Sequence, residues 1–377
     1  MAKKKKLVSL SKIYPPKSLL QRIKPPFAII LGSPSDVVNL LQSSPHKEAV
    51  CYQMDLFQAA RLEHMLQEAN LPATVRVEPD LWNIGNDFAS AVYLPARSGE
   101  RELKIDMVEQ GFHILKDSGL FLIWSAQPNE SLFPPVLKKI YKKVHIHQEG
   151  DTTFLWCQKS GERPRRRHEV TFQCRVSQGE SMRFLSRPGT FSYGKFDAGS
   201  RALCEVMSLR TGQNIVDLGC GCGTNGIFAS KKVGPDAKIT FVDSNLRALE
   251  LAKINAEANG LTNFEIVATA SVTGPSLTLN SFDIALANPP YFANHSIALL
   301  FIQRSYELLK RSGSFFMVTK QPNEMVQLMT DANYEVEGAE TRGYTVLMHR
   351  GPAAREDMEA ISFAQEYSDD NDEEPSQ

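Results

Sequence analysis

Asn288-Pro289-Pro290-Tyr291 sets a carboxamide, two backbone-fixing rings and an aromatic face in consecutive positions. The apolar run from Asp283 to Ala287 before it reads as a β-strand, and two adjacent prolines stop that strand because proline cannot donate to a sheet ladder. The Asn288 side chain and the Pro289 carbonyl are then available to accept hydrogens from a planar exocyclic amine, and Pro290 stiffens the turn. Accepting those hydrogens steers the nitrogen lone pair out of conjugation and towards an electrophile, so this chemistry is largely positioning. Tyr291 offers a face on which the planar group stacks, as in enzymes that take a base out of its helix.

The electrophile needs a carrier. Residues 214–232, "NIVDLGCGCGTNGIFASKK", read as a β-run, an acid, three alternating glycines and a helix. Gly219, Gly221 and Gly223 let the backbone turn tightly and approach a ligand, and the following helix start supplies N–H donors. A dinucleotide fingerprint requires G-x-G-x-x-G, whereas this chain has G-x-G-x-G with Asp217 in front. That pattern points to S-adenosylmethionine, whose amino-acid end carries an ammonium for Asp217 to accept from, directly or through water. A second β-run ends in Asp243, 20 residues after the last glycine, where a carboxylate can accept from both ribose hydroxyls. Ser244 or Asn245 can cap the helix that follows, and Gly260 can end it.

These residues need strand ends to hold them, and the sequence supplies the strands twice. "NDFASAVYLPARSG" (86–99) parallels "NSFDIALANPPYFA" (280–293), and at the same offset of 194 "LKDSGLFLIW" parallels "LKRSGSFFMV". "AIILG" (28–32) echoes "IVDLG" (215–219). Each half alternates short β-rich runs with helical stretches and closes on a hairpin-like pair, which implies an α/β fold with a doubly wound sheet of the methyltransferase variant. In this alignment Ile30 stands opposite Asp217, Pro34 opposite Gly221 and Leu94 opposite Asn288, while Asp55 stands opposite Asp243. One acid alone cannot hold the cofactor, so the first half is expected to be degenerate and to bind substrate or serve as a scaffold.

The chain's 377 residues suit two domains, each able to bury a core. The first 24 residues carry eight Lys/Arg and no acid, and the residues after Arg355 carry nine acids and no base. Without those acids the formal net charge of −1 becomes a surplus of eight positive charges, which is compatible with a nucleic-acid partner. "LKKIYKKVHIH" (137–147) and the "SGERPRRRH" linker (160–168) concentrate this charge, and the linker reads as merely solvated or as phosphate-contacting. No apolar run of signal-peptide or membrane length follows the basic start, so a soluble cytoplasmic protein is expected. Six scattered cysteines make neither a disulfide framework nor a metal-ligand set, and no metal is expected.

On these residues the chain resembles the ribosomal-RNA guanine-N2 methyltransferases of the methyltransferase small group, which are built from two tandem methyltransferase-like domains. "PGTFSYGKFDAGSRAL" (188–203) is similar to that family's segment leading into the catalytic domain. The resemblance implies two tandem Rossmann-like class I methyltransferase domains, the N-terminal one degenerate. It also implies that Phe191, Ser192, Asp197 and Gly199 line the cofactor site beneath a folded-over segment. Ser271 would lie near the adenine. The implied partner is ribosomal RNA or a ribosomal subunit, with the protein acting as a monomer. Boundaries on this reading are a basic N-terminus at 1–24, a degenerate domain at 25–158, a linker at 159–170, a catalytic domain at 171–351 and an acidic tail at 352–377.

The family usually has phenylalanine where Tyr291 stands. NPPY is commoner in adenine-amine and glutamine-amide methyltransferases, so an adenine amine in RNA or a glutamine amide in a translation factor remains an alternative target. A non-catalytic RNA-binding assembly protein is the reading from another class, and Asp217, Asp243 and Asn288 argue against it.

Overall fold

The computed structural model describes residues 14–177, 179–290 and 296–351. The chain divides into two compact units, one made of Met1–Met54 and Gln58–Arg167, the other of Asp55–Phe57 and His168–Gln377. In the first, β1 (Phe27–Ile30), β2 (Val50–Gln53), β3 (Thr74–Val77), β4 (Phe88–Tyr93), β5 (Leu115–Ser125), β6 (His145–Glu149) and β7 (Thr152–Gln158) form one sheet. Its order is β3-β2-β1-β4-β5-β7-β6. The second unit opens with the antiparallel pair β8 (Val170–Cys174) and β9 (Met182–Ser186). Its main sheet holds β10 (Ile215–Leu218), β11 (Ile239–Asp243), β12 (Phe264–Ala268), β13 (Phe282–Ala287), β14 (Leu309–Thr319), β15 (Glu337–Thr341) and β16 (Tyr344–Arg350). The order repeats, as β12-β11-β10-β13-β14-β16-β15.

In each sheet five strands run parallel, and the last two form an antiparallel hairpin laid against the fifth. Parallel strands covered by helices on both faces need apolar side chains on both, which is why β1, β4 and β10 are buried along their whole length. In the second unit Ile215, Phe241, Ile284 and Phe316 face one core, while Val216, Val242, Ala285 and Phe315 face the other. The two-residue period of the strand assigns successive side chains to opposite layers.

The ladders show how closely the halves repeat. Phe88 pairs with Leu115 and the register then slips before Ser90; Phe282 pairs with Leu309 and slips before Ile284. All three positions keep the offset of 194.

The ladders and the helix starts correct the sequence alignment at three places. Ile29 pairs with Val92 and Asp217 with Leu286, so Ile29, not Ile30, occupies the Asp217 position. Ile29 also pairs with Cys51, and Asp217 with Phe241, which puts Gln53, not Asp55, at the Asp243 position. The helix after β1 starts at Pro34 and the helix after β10 starts at Thr224, so Pro34 matches Thr224 rather than Gly221. The physical cause is a loop of different length: Leu31–Ser33 joins strand to helix in the first unit, Gly219–Gly223 in the second.

Candidate active site

The glycine loop leaves β10 at Leu218 and turns left-handed three times, with φ of +67° at Gly219, +55° at Gly221 and +87° at Gly223. A Cβ at Gly219 would meet the Phe301 ring at 3.0 Å, and one at Gly223 would meet Ala252 at 3.2 Å. Gly221 is different, because nothing lies within 4 Å of where its Cβ would be. Its conformation requires glycine, and the open space beside it is room for a ligand.

Two carboxylates set the loop's shape and charge. Asp243 accepts from the Gly221 backbone N–H through Oδ2 and from the Asn245 N–H through Oδ1, each at 2.9 Å. Asp217 is fully buried and accepts from the Gly226 N–H at 2.9 Å through Oδ2, while its Oδ1 is buried with no hydrogen-bond partner. Burial raises the Asp217 pKa to about 7, against the opposing Gly226 bond and helped by the charge of Asp243. Burial likewise raises Asp243 to about 6, with its backbone bonds opposing. Asp217, Asp243 and Gly223 lie behind the pocket wall rather than in it. The Asp217 oxygen left without a donor is a group that an ammonium, directly or through water, would satisfy.

Asn288 follows β13 at the carboxyl edge of the sheet. Its Nδ2 donates to Asp197 Oδ2 and to Ser200 Oγ, both at 3.0 Å. A carboxylate can only accept, so the NH2 of Asn288 must face Asp197, which fixes the carboxamide's orientation and assigns Oδ1 as its acceptor end. Asp197 is itself held, as N-cap of the helix Ala198–Val206, by the Ser200 N–H at 2.8 Å. Pro289 is buried and Pro290 exposed; Tyr291 lies outside the described residues.

The segment before that helix is fastened down from the adjoining helix Leu246–Ala258. Asn245 caps that helix and donates to the Gly189 carbonyl at 2.9 Å. The buried Arg247 donates to the Pro188 carbonyl, and the buried Arg187 pairs with Glu250 at 3.1 Å. Phe191, Ser192 and Asp197 thereby line one pocket with Gly219, Gly221 and Asn288. The buried Ser192 Oγ has no partner.

The same pocket holds Lys195, Ser200, Thr224 and Asn225, which the sequence reading did not single out. Ser200 could have been found from Asp197-x-x-Ser200, the spacing at which an N-cap meets a backbone N–H three residues on. Gly199 is buried in the first turn of its helix and is not in the pocket wall. Ser271 is exposed, bonded to Thr273 at 2.7 Å, and is not among the lining residues either.

Among the described residues, the first unit fills the corresponding place. Leu94, at the Asn288 position, is buried, and a Cβ on Gly32 would meet the Leu94 Cβ at 2.9 Å. Gln53 Nε2 donates to the Gly32 carbonyl at 3.3 Å, tying the short loop to β2.

Among the described residues no helix is long and apolar enough to cross a membrane, and no group of three or more His, Cys, Asp or Glu could hold a metal.

Comparison with known proteins gives a consistent result. The methyltransferase small domain profile matches residues 181–348. A ribosomal RNA small subunit methyltransferase C from Vibrio parahaemolyticus is 32% identical over 148 residues, 38% of this chain and 42% of that protein. The chain therefore spans less than half the length of that relative. The uncharacterized protein YbxB of Bacillus subtilis is 33% identical over 139 residues, 37% of this chain and 68% of that protein. The solved structure of a T. thermophilus 16S rRNA N2 methyltransferase, RsmC, in complex with AdoMet and guanosine, aligns with 89% of this chain and 91% of its own. At a TM-score of 0.69 and 20% identity it shows that this chain has the tandem Rossmann-like methyltransferase fold. With the glycine loop, the two acids and Asn288 in one such unit, the chain belongs to the methyltransferase small domain family.

Proposed function

We propose that this chain is an S-adenosylmethionine-dependent methyltransferase acting on the exocyclic N2 amine of a guanine in ribosomal RNA. The observation that carries the reading is the Asn288 carboxamide, pinned by Asp197 and Ser200 so that its oxygen is the end offered to a substrate. When bound, S-adenosylmethionine supplies a methyl group made electrophilic by a sulfonium. Asp217 accepts from its ammonium, Asp243 from its ribose hydroxyls, and the Gly219–Gly223 loop passes beside it. Asn288 Oδ1 and the Pro289 carbonyl accept the amine hydrogens and aim the nitrogen lone pair at the methyl carbon. The proton released after transfer goes to water, because Asn288 cannot take it. Tyr291 is assigned to stacking the base.

The guanine and ribosomal RNA parts are supported by the V. parahaemolyticus relative's name and by the guanosine held in the T. thermophilus structure. A monomer working in the cytoplasm accords with that substrate. The test is incubation with labelled S-adenosylmethionine and unmodified ribosomal RNA or subunits, followed by nucleoside mass analysis. N2-methylguanosine supports the proposal. Label in methyladenosine, or in protein alone, keeps Asn288 in its role and overturns the substrate. No transfer despite bound cofactor overturns the enzyme reading.

A further inference from the structure

The basic run at 163–167 takes no part in the cofactor pocket, yet it is not loose in solvent. The Arg165 guanidinium lies over the Trp82 ring, 5.4 Å from its centroid, and Arg163 Nη1 donates to the Lys139 carbonyl at 3.3 Å. Lys159, next after β7, sits over the Phe112 ring at 5.1 Å. Trp82 and Phe112 both meet His113 edge-on, at 6.1 and 5.6 Å. Three stretches of chain thus bring cations to one face of the first unit: the end of the helix Phe133–Tyr141, the end of β7, and the basic run.

Charge counts and exposure agree with this convergence. Residues 138–167 carry nine Lys/Arg and three Asp/Glu. Lys138, Lys139, Lys142, Arg165 and Arg166 are exposed. Of the nearby acids, Asp80 is paired with Arg167 at 3.6 Å. The field is felt at His113, whose pKa is lowered by burial first and then by Arg165, Lys159 and Arg163, with Glu109 opposing. A guanidinium stacked on indole keeps its N–H edge outward, and that edge matches a phosphate oxygen pair. A merely solvated linker would leave its arginines unplaced, and here Arg163 and Arg165 are docked.

We propose that this face, formed by Lys138, Lys139, Lys142, Arg163 and Arg165, docks the sugar–phosphate backbone of the RNA substrate, with Lys159 held inward by the Leu115 carbonyl as part of its support. The proposal rests on RNA being the substrate class and assigns the first unit the work of holding it. Phosphate contacts carry position rather than sequence, so the surface sets affinity and salt dependence and leaves the choice of base to the second unit.

The experiment measures binding of a ribosomal RNA fragment by fluorescence anisotropy from about 50 to 200 mM salt, comparing wild type with Lys139→Gln/Arg163→Gln/Arg165→Gln. The expected result is affinity at least about tenfold weaker at low salt and a log–log salt slope smaller by about two. Cofactor affinity, and turnover at saturating RNA, stay unchanged. Lys138→Gln/Lys142→Gln, confined to exposed side chains, gives a smaller change in the same direction and stands in if the triple variant misfolds. Wild-type affinity and slope in both variants, with RNA still methylated, would sink the docking surface alone. A reduced slope with no methyl on RNA would leave the surface standing and overturn the proposed activity.

Discussion

The two halves share a strand order and even the same register slip, yet one closes at the junction of its first strand and helix and the other opens a pocket there. The cores that define the fold are alternating apolar faces, present in both. The chemistry rests on a handful of positions: Ile29, Gln53 and Leu94 in the first unit stand where Asp217, Asp243 and Asn288 stand in the second. A fold can therefore outlive its function at little energetic penalty, because removing a buried, partly unsatisfied acid such as Asp217 relieves the unit of a desolvated charge.

Placing the first unit's residues in the second should show which positions carry the chemistry. Asn288→Leu, which installs the first unit's residue, should lower methyl transfer by about 100- to 1000-fold, the usual worth of one transition-state hydrogen-bonding group. Cofactor affinity measured by calorimetry should hold, and retained turnover would remove Asn288 from its assigned role. Asp243→Gln should weaken cofactor binding by about 1.5 to 3 kcal/mol, roughly 10- to 150-fold, as a charge-assisted bond is lost. Unchanged affinity there would mean that the ribose lies elsewhere.

Proton linkage separates the halves more gently. Asp217 has its pKa raised from 3.8 to about 7, so between those values the folded state binds more protons than the unfolded one. Ligand-free stability from this group is therefore full below about pH 4 and is lost as pH rises towards 7. Cofactor binding runs the opposite way, because the ammonium needs an ionised partner. Affinity should rise about tenfold between pH 6 and 8, and the rise should vanish in Asp217→Asn. A wild-type profile flat over that range would dissociate Asp217 from the ammonium. The smallest change is expected from Ser200→Ala, which leaves Asp197 to orient Asn288. A several-fold fall in kcat with cofactor affinity intact would mark Ser200 as a positioning residue, whereas an equal fall in both would mean that it merely supports the pocket wall.

Much of this was legible in the residues. The glycine loop, the acid ending β11, the proline stop after β13 and the duplicated β-runs are local signals, and local signals survive without coordinates. Asn245 and Gly260 mark the ends of their helix as cap chemistry predicts. The matching of the halves failed where a gap intervened. Asp55 stands opposite Asp243 in the sequence alignment, and the ladder hands that place to Gln53. The Asp197-x-x-Ser200 spacing marks Ser200 as a capping partner, but its contact with Asn288, 88 positions away, is one that no spacing rule records. Ser271 was placed by resemblance alone; in the loop after β12 its hydroxyl pairs with that of Thr273.

The shorter junction Leu31–Ser33 puts a cofactor loop in the first unit beyond the reach of point mutation. Restoring an acid at 29 and an amide at 94 by point mutation would still leave too little chain for the triple left-handed turn of Gly219–Gly223. Building such a loop there would demand an in-frame insertion together with several substitutions. The first unit is thus free to diversify its surface without regaining a site that would compete for cofactor.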